Sequence, residues 1–407
     1  MADTFARTLR SAFLNSAILG LMNRGDREDA LELIKQLVRT KLDSAVTHCL
    51  ARRLGLSDVD LVPAERIENM MRRRPQHASR FEDMHHREIG VLDALQLGAK
   101  PGDAQAARAV MEDFILQAGL RVSGGEKSCI LDNTLQRHQP KLVLEYGAYV
   151  GYTTTWIALQ VKAWGGKVVS LEMDPINAAV SRNVIEFCGL SDIARVQLGH
   201  SDDSADLILE EYGKGSVHLV FMDQRGTRYH SDLQRLEALG VLADPCIVIA
   251  DNVLNPGAPL HVWRVCSMPH YVTNIISLHK FGLTAVRDWV TISVVHQGET
   301  YGQEPEEIRE LVALARRTDR FRWKAKSVPS RVMAGDPTDM QNDCFEATFA
   351  RLGIVPSLAV TTALDGEGGA SSWLVMLGPG QNPPLWEKPE LHGLIKGGRW
   401  HSIVRDP

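Results

Sequence analysis

The sequence contains no run of 18 or more apolar residues, so we expect no segment that spans a bilayer. Its six cysteines never occur in Cys-x-x-Cys spacing, which indicates reduced, intracellular thiols. An excess of positive charge is also missing, because the net charge is −5, and we expect no general attraction to nucleic acid or to anionic membranes. With 44% apolar and 23% charged residues over 407 positions, the chain is typical of a soluble protein with one main domain and additions at its ends.

Acidic residues are missing from the N-terminal segment between Thr4 and Gly25. Three arginines lie there among apolar side chains, which is the composition of an organellar transit peptide. An amphipathic helix that covers the helices behind it is the favoured alternative, because the basic residues are few. We therefore expect a cytoplasmic protein, with organellar targeting as the second alternative.

Three segments of the chain differ in the spacing of their apolar residues and therefore in their predicted secondary structure. Residues 1–95 show helical spacing and predict a helical N-terminal extension, and residues 299–407 predict a small C-terminal extension of unknown role. Residues 96–298 alternate strands with helices, which predicts an α/β domain with a doubly wound, mostly parallel sheet. The predicted strands are Leu142–Leu144, Lys167–Glu172, Arg195–Leu198, Val217–Asp223, Cys246–Asp251, Tyr271–Ile276 and Trp289–Val295.

The stretch from Lys141 to Thr155 reads as an apolar strand, a glycine loop and the first turn of a helix. Such loops cradle dinucleotides, phosphates or adenosylmethionine. Glu145 would repel a pyrophosphate but could pair with the cationic amino end of adenosylmethionine, and Glu172 ends the next strand where an acid can accept ribose hydroxyls. The structural alternative is a buried glycine turn with two acids placed by chance.

Polar residues also follow two later strands. Asp223 ends one, and Asp251 with Asn252 ends the other, at the carboxyl edge where open parallel sheets place their ligands. Three oxygen ligands on neighbouring strand ends suit Mg²⁺ with open positions for a vicinal diol. Taken alone, aspartates at strand ends are common and serve capping or solubility.

Residues from about Lys100 to Gly298 resemble the metal-dependent catechol O-methyltransferases. Five segments carry the resemblance: Pro101–Gln105, His138–Pro140, Glu145–Tyr152, Phe221–Asp223 and Ala250–Pro259. The resemblance implies a seven-stranded Rossmann-like methyltransferase fold, S-adenosylmethionine and Mg²⁺ as cofactors, and a small-molecule catechol-like substrate. Protein partners of the two extensions are not indicated.

Position by position, the resemblance implies that Asp223, Asp251 and Asn252 bind Mg²⁺. It also implies a cofactor site in which Glu145 and Tyr149 lie at the amino acid end, Thr153 near the carboxylate, Glu172 at the ribose, and Met173 and Ser201 at the adenine. The full implied set is Ser123, Glu145, Gly147, Tyr149, Thr153, Glu172, Met173, Ser201 and Asp223.

The sequence departs from the family at the catalytic lysine, which comes three residues after the first metal aspartate. Gly226 stands in its place. Gln224 and Arg225 replace a histidine and a tryptophan, and the family's late glutamate has no clear counterpart. We therefore predict three catalytic residues. Asp223 would bind the metal that acidifies the substrate hydroxyl, and Arg228 or His230 would take up the proton.

Two alternatives to an active catechol-type enzyme stay open. A scaffold or pseudoenzyme would explain the missing lysine, although the retained Asp223, Asp251 and Asn252 argue against it. A nucleic-acid amine methyltransferase would need Asn/Asp-Pro-Pro-aromatic at the fourth strand, and the only similar run, Asn382–Leu385, lies in the tail.

Overall fold

The computed structural model describes residues 14–39, 47, 50, 51, 53–55, 78–281, 283–296, 308–327, 337–364, 370–376 and 400–403. The acid-free N-terminal segment lies partly outside these residues, and Asn382–Leu385 lies entirely outside them. No helix in the described ranges combines the length and the apolar character that crossing a bilayer requires.

Helices and strands alternate through the middle of the chain, as the sequence predicts. The helices are α1 (Arg27–Arg39), α2 (Ala78–Gly98), α3 (Ala104–Ala118), α4 (Glu126–His138), α5 (Tyr152–Val161), α6 (Pro175–Phe187), α7 (Ser201–Tyr212), α8 (Tyr229–Leu239), α9 (Pro259–Ser267), α10 (Ile308–Ser327) and α11 (Pro337–Arg351). The strands are β1 (Leu142–Tyr146), β2 (Lys167–Glu172), β3 (Ala194–Leu198), β4 (Val217–Met222), β5 (Leu242–Ala250), β6 (Tyr271–Lys280), β7 (Leu283–Val295), β8 (Leu358–Leu364), β9 (Ala370–Met376) and β10 (Trp400–Ile403).

The chain divides into two compact units. Unit 1 comprises residues 1–122 and 147–200, and it contains the parallel pair β2 and β3. Helix α5 packs on β2, and α6 packs on β3. Helix α6 begins at Pro175 because Asp174 accepts hydrogen bonds from the backbone N–H groups of Ile176 and Asn177 and thereby caps the first turn. The buried core beneath these helices includes Val169 and Val184.

Unit 2 comprises residues 123–146 and 201–407 and contains the other strands in the order β10-β9-β8-β6-β7-β5-β4-β1. Strand β4 is parallel to β1 and β5, whereas β7 is antiparallel to β5 and β6. All five residues of β1 are buried, which explains the apolar run Leu142–Leu144 at its start. The carboxyl ends of β1, β4 and β5 therefore lie at one edge of this sheet.

These pairings confirm the predicted fold class, a doubly wound and mostly parallel α/β sheet with a helical N-terminal extension. Strands β1 to β7 are the seven that the sequence predicts, with ends that differ by a few residues. The C-terminal segment adds three more to unit 2, because β8 pairs with β6, β9 with β8, and β10 with β9.

Candidate active site

The carboxyl ends of β4 and β5 in unit 2 carry the predicted metal aspartates. The backbone N–H of Asp223 donates to the carbonyl of Tyr146 at 2.9 Å, and that of Asp251 donates to the carbonyl of Met222 at 2.9 Å. These bonds continue the ladder of hydrogen bonds one residue beyond each strand. The two carboxyl groups are consequently fixed at neighbouring positions of the same sheet edge.

Two neutral side chains join the carboxylates. Asn252 has a left-handed backbone conformation, with φ 56°, and its Nδ2 donates to Oδ1 of Asp223 at 2.9 Å. Oγ of Ser123 lies 2.9 Å from Oδ2 of Asp223 and also contacts Oδ2 of Asp251. Both oxygens of Asp223 therefore lie within hydrogen-bond distance of a neutral side chain, and the one hydroxyl proton of Ser123 is shared between Asp223 and Asp251.

A lysine that the sequence analysis did not single out lies in the middle of this cluster. Lys127 is in the first turn of α4, and its Nζ contacts Oδ1 of Asp251, lies 3.4 Å from Oδ1 of Asn252 and lies 2.9 Å from Oδ2 of Asp288. Only 7% of Lys127 is exposed. The ammonium group thus points at the oxygens that the sequence assigns to Mg²⁺.

Asp288 anchors the lysine from within β7. It is fully buried, and its Oδ1 accepts hydrogen bonds from the backbone N–H groups of Asn255 at 3.0 Å and Trp289 at 2.9 Å. Its other oxygen is left for Lys127. A buried carboxylate with these donors is fully satisfied, which fits the rule that buried charges are paired and hydrogen-bonded.

Burial and the charges in the cluster determine the protonation states of Lys127 and Asp223. Burial alone would lower the pKa of Lys127, but the negative charges of Asp251 and Asp288 outweigh burial and raise that pKa above its ordinary value. Burial and the neighbouring charge of Asp251 raise the pKa of Asp223 to about 8, against the opposing effect of Lys127. Lys127 is therefore held as an ammonium ion and is not available as a base at neutral pH.

The predicted Mg²⁺ site does not fit this arrangement of donors. A magnesium ion bonds oxygen at about 2.1 Å and an ammonium does so at about 2.8 Å, so two cations on one carboxylate oxygen lie within about 5 Å. Their repulsion at that separation is on the order of 7 kcal/mol at an effective dielectric constant of about 20. A divalent ion at Asp251 and Asn252 would first have to displace or deprotonate Lys127. Among the described residues, no group of three or more His, Cys, Asp and Glu is arranged to hold a metal.

The glycine loop of unit 1 has the backbone that the sequence predicts. The N–H groups of Gly147 and Ala148 donate to the carbonyl of Leu171 at 2.9 and 3.1 Å, so the loop closes on the end of β2. Gly151 has φ 80° and precedes α5, and a Cβ there would lie 2.9 Å from the backbone of Ser181. Glycine is required at this position for both reasons.

Glu172 lies at the end of β2, beside this loop. Its carboxylate accepts hydrogen bonds from the backbone N–H groups of Tyr149 at 2.9 Å and Asp174 at 2.8 Å. Burial raises the pKa of Glu172 to about 7, although these backbone donors oppose the increase. Lone pairs remain on both oxygens for a further donor such as a hydroxyl.

Two residues of α2 reach the same part of unit 1. The hydroxyl of Tyr149 donates to Glu88 at 2.7 Å, and burial together with the charge of Glu88 raises the pKa of that hydroxyl. Nε2 of His85 lies 3.0 Å from Asp174. Part of the predicted N-terminal extension therefore holds the loop residue Tyr149 and the cap of α6 in place.

Comparison with known proteins places this chain in a family. A family model described as O-methyltransferase matches residues 117–281. Catechol O-methyltransferase B of Danio rerio is 33% identical over 190 residues, which are 46% of this chain and 72% of that protein.

The chain belongs to the catechol O-methyltransferase family.

The similarity covers less of other family members. Bovine catechol O-methyltransferase (Bos taurus) is 33% identical over 174 residues, and these are 42% of this chain and 64% of the bovine enzyme. The match thus spans slightly less than two thirds of the length of that relative. A solved structure of an O-methyltransferase from Bacillus cereus in complex with SAH covers 46% of this chain and 90% of its own, with 20% identity and a TM-score of 0.41.

The resemblance places Gly226 where the family has its lysine, and the surroundings of Gly226 leave no room for a side chain. Gly226 is buried, and a Cβ there would lie 2.6 Å from the carbonyl oxygen of Gly257 and 3.2 Å from Cβ of Ala258. The turn after β4 therefore packs directly on the backbone of the turn after β5. A lysine at this position would need the two turns to separate.

The two candidates for proton removal lie on or next to α8. The ring of His230 is buried and lies 6.5 Å from the ring of Trp263, between α8 and α9. Arg228 lies 3.6 Å from Asp232. Asp232 also accepts hydrogen bonds from Ser201 and Gln224, both at 3.0 Å. The sequence analysis did not single out Asp232, although an acid at this buried helical position connects three polar residues near the predicted adenine end.

The other members of the implied cofactor set are found in both units. Glu145 in unit 2 is fully buried at the end of β1. In unit 1, Thr153 is buried in the first turn of α5, whereas Met173 is 64% exposed after β2. An exposed methionine beside Glu172 is available to cover an apolar ring, and its role remains a prediction.

Proposed function

We propose that this chain is an S-adenosylmethionine-dependent O-methyltransferase that acts on a hydroxyl group of a small molecule. Family membership supports the reaction type, and the environment of Glu172 is the observation that carries the cofactor assignment. Its carboxylate is held by two backbone N–H groups beside a glycine loop, with lone pairs free for ribose hydroxyls. We propose residues 96–298 as the catalytic domain.

In the proposed reaction, the acceptor hydroxyl oxygen bonds to the methyl carbon of S-adenosylmethionine. The carbon–sulfur bond breaks with its electron pair remaining on sulfur, and S-adenosylhomocysteine leaves as the product. The hydroxyl proton passes to solvent or to His230, which is our candidate among the protein side chains. Holding the two reactants in line is the largest contribution that the protein can make to this displacement.

We propose a catechol or a related vicinal diol as the acceptor class, because the family relationship favours it. Arg225 and Arg228 lie in the turn after β4, and positive charge there favours an anionic acceptor. The sequence also predicts Mg²⁺ at Asp223, Asp251 and Asn252. If it were bound there, the ion would acidify the acceptor hydroxyl. Lys127 competes for the same oxygens, so no step of the proposed reaction depends on the metal.

The test measures cofactor binding and methyl transfer separately. Isothermal titration of the full chain with S-adenosylmethionine should show one site per chain, and Glu172→Ala should weaken it by roughly tenfold or more, since a ribose hydroxyl would lose a charged acceptor. Glu186→Ala is the matched control, because Glu186 is an exposed carboxylate of the same unit. Equal affinities for the wild type and Glu172→Ala would contradict the cofactor assignment.

Turnover is then followed with radiolabelled S-adenosylmethionine and a panel of catechols, single phenols and acidic diols. Transfer to at least one hydroxyl supports the proposal. Cofactor binding without transfer to any acceptor would favour the scaffold alternative. An unchanged kcat and pH profile for His230→Ala would remove His230 as the proton acceptor.

A further inference from the structure

We propose that the ammonium group of Lys127 takes the place of the divalent cation among Asp223, Asp251 and Asn252. In this chain the strand-end carboxylates would then be held together without a metal. The inference concerns the same site as the proposed function and depends on that function only for its consequence in catalysis.

The first argument is that the lysine binds the atoms that a metal would need. Nζ of Lys127 contacts Oδ1 of Asp251 and lies 3.4 Å from Oδ1 of Asn252. These are the carboxylate and amide oxygens that the sequence assigns to Mg²⁺. A hard cation and an ammonium ion make the same demand on them, which is an oxygen with a free lone pair.

The second argument is that Lys127 is anchored by a site built for it. Asp288 is fully buried in β7 and uses one oxygen for two backbone N–H groups and the other for Nζ at 2.9 Å. Without the lysine, this fully buried carboxylate would lose its ion pair. A side chain that had entered an empty metal site by chance would not need such a partner on its far side.

The third argument concerns the loop that delivers the lysine to the cluster. Gly125 precedes α4 with φ 60°, and a Cβ on Gly124 would lie 2.6 Å from the ring of Phe281. The two glycines therefore allow the start of α4 to pack closely on this ring, and Lys127 follows in the first turn. Its short distance from the strand ends is a consequence of this packing.

The fourth argument is that Asp223 is also satisfied without a metal. Asn252 donates to one of its oxygens, and the Ser123 hydroxyl, whose one proton is shared between Asp223 and Asp251, lies 2.9 Å from the other. An amide that donates to Asp223 through Nδ2 directs its oxygen towards Lys127, and the whole cluster forms one connected set of hydrogen bonds. A single positive charge and neutral donors thus replace the two positive charges of a divalent ion.

One consequence follows for catalysis. An ammonium ion has three N–H groups, and two of those of Lys127 are directed at Asp251 and Asp288. The third is directed at Oδ1 of Asn252, 3.4 Å away, so a single acceptor oxygen can bind Nζ only by displacing this amide, and chelation of two oxygens is excluded. If the proposed methyl transfer takes place, it should persist in a chelator and should not require a vicinal diol.

The experiment measures metal binding directly. Mn²⁺, a divalent ion with oxygen preferences like those of Mg²⁺, is titrated into the full chain, and free Mn²⁺ is followed by electron paramagnetic resonance. We expect no stoichiometric uptake by the wild type. Lys127→Ala should take up one Mn²⁺ per chain, at least about tenfold more tightly than the wild type, because the repelling charge is gone.

Lys280→Ala is the matched control. Lys280 is another buried lysine of unit 2, and its Nζ donates to Oδ1 of Asn255 at 2.8 Å. It should not gain a manganese site. If Lys127→Ala does not fold by circular dichroism, the neutral variant Lys127→Gln takes its place, because it keeps most of the side-chain volume.

Two results would overturn the proposal. One is stoichiometric Mn²⁺ uptake by the wild type that is lost in Asp251→Ala. The other is a folded Lys127→Ala or Lys127→Gln protein that still takes up no Mn²⁺, because the lysine would then not be what occupies the site. Titration of the same samples with S-adenosylmethionine keeps this outcome distinct from a failure of the methyltransferase proposal.

Discussion

Substitution of Gly226 by alanine tests whether the family's lysine position is closed in this chain. The added Cβ would lie 2.6 Å from the carbonyl oxygen of Gly257, which belongs to the backbone and cannot rotate away. Ordinary contacts of this kind are about 3.4 Å or longer, so the two buried turns must separate by roughly 0.8 Å. Overpacking of this kind costs about 1–3 kcal/mol.

We expect Gly226→Ala to lower the free energy of unfolding by that amount, measured by urea denaturation followed by circular dichroism. Gly20→Ala is the control, because Gly20 lies in a helix and a Cβ there meets nothing closer than 3.6 Å. It should be neutral or stabilising by up to about 1 kcal/mol, since alanine favours helix. Gly226→Lys should be destabilised further and should not raise the rate of methyl transfer. A Gly226→Ala protein as stable as the wild type, with a faster Gly226→Lys enzyme, would refute the conclusion that this position is closed.

Three further outcomes follow from the described contacts. The pKa of Glu172 is raised to about 7, so this carboxyl binds its proton more tightly in the folded chain than in the unfolded chain. As the pH rises from about 4.5 to 7, the free energy of unfolding should therefore fall by up to roughly 3 kcal/mol relative to Glu172→Gln, and the difference should level off above pH 7. A constant difference would exclude this titration. Asp288→Ala should lower the free energy of unfolding in urea by about 3–5 kcal/mol, because it removes a counterion of the buried Lys127. The control Asp244→Ala removes an exposed partner of His296 and should lower it by about 1 kcal/mol or less. Tyr149→Phe should cost about 1–2 kcal/mol, because buried Glu88 loses a donor; an unchanged unfolding midpoint would show that the bond contributes nothing.

The parts of the site that the sequence predicted are those in which neighbouring residues carry the signal. Glycines after an apolar strand predicted the loop at Gly147 and Gly151, and the structure has both with positive φ. Asp223 and Asp251 were placed at one edge because parallel strands present their carboxyl ends together. These inferences need only the local period of each strand and one rule of topology.

The parts that the sequence did not predict depend on contacts between distant segments. Lys127 and Asp288 are 161 positions apart, and nothing in the local pattern of either residue indicates the other. Asp288 follows Arg287 and directly precedes the predicted strand Trp289–Val295, a position at which a solvent-exposed carboxylate is the ordinary expectation. The pairing of β8 with β6 was hidden for the same reason, since strand pairing between distant segments is not encoded in either strand alone.

The absence of a side chain at position 226 and the presence of a lysine at position 127 are connected through one series of contacts. Gly226 lets its turn pack on the backbone of Gly257, whose N–H donates to the carbonyl of Asn252 at 3.1 Å. The same turn presents the N–H of Asn255 to Asp288, and Asp288 in turn holds Lys127. A lysine at position 226 would push this turn outwards and take away a donor from Asp288. The tight turn at Gly226 and the ion pair of Lys127 with Asp288 therefore support each other through the backbone of Asn255.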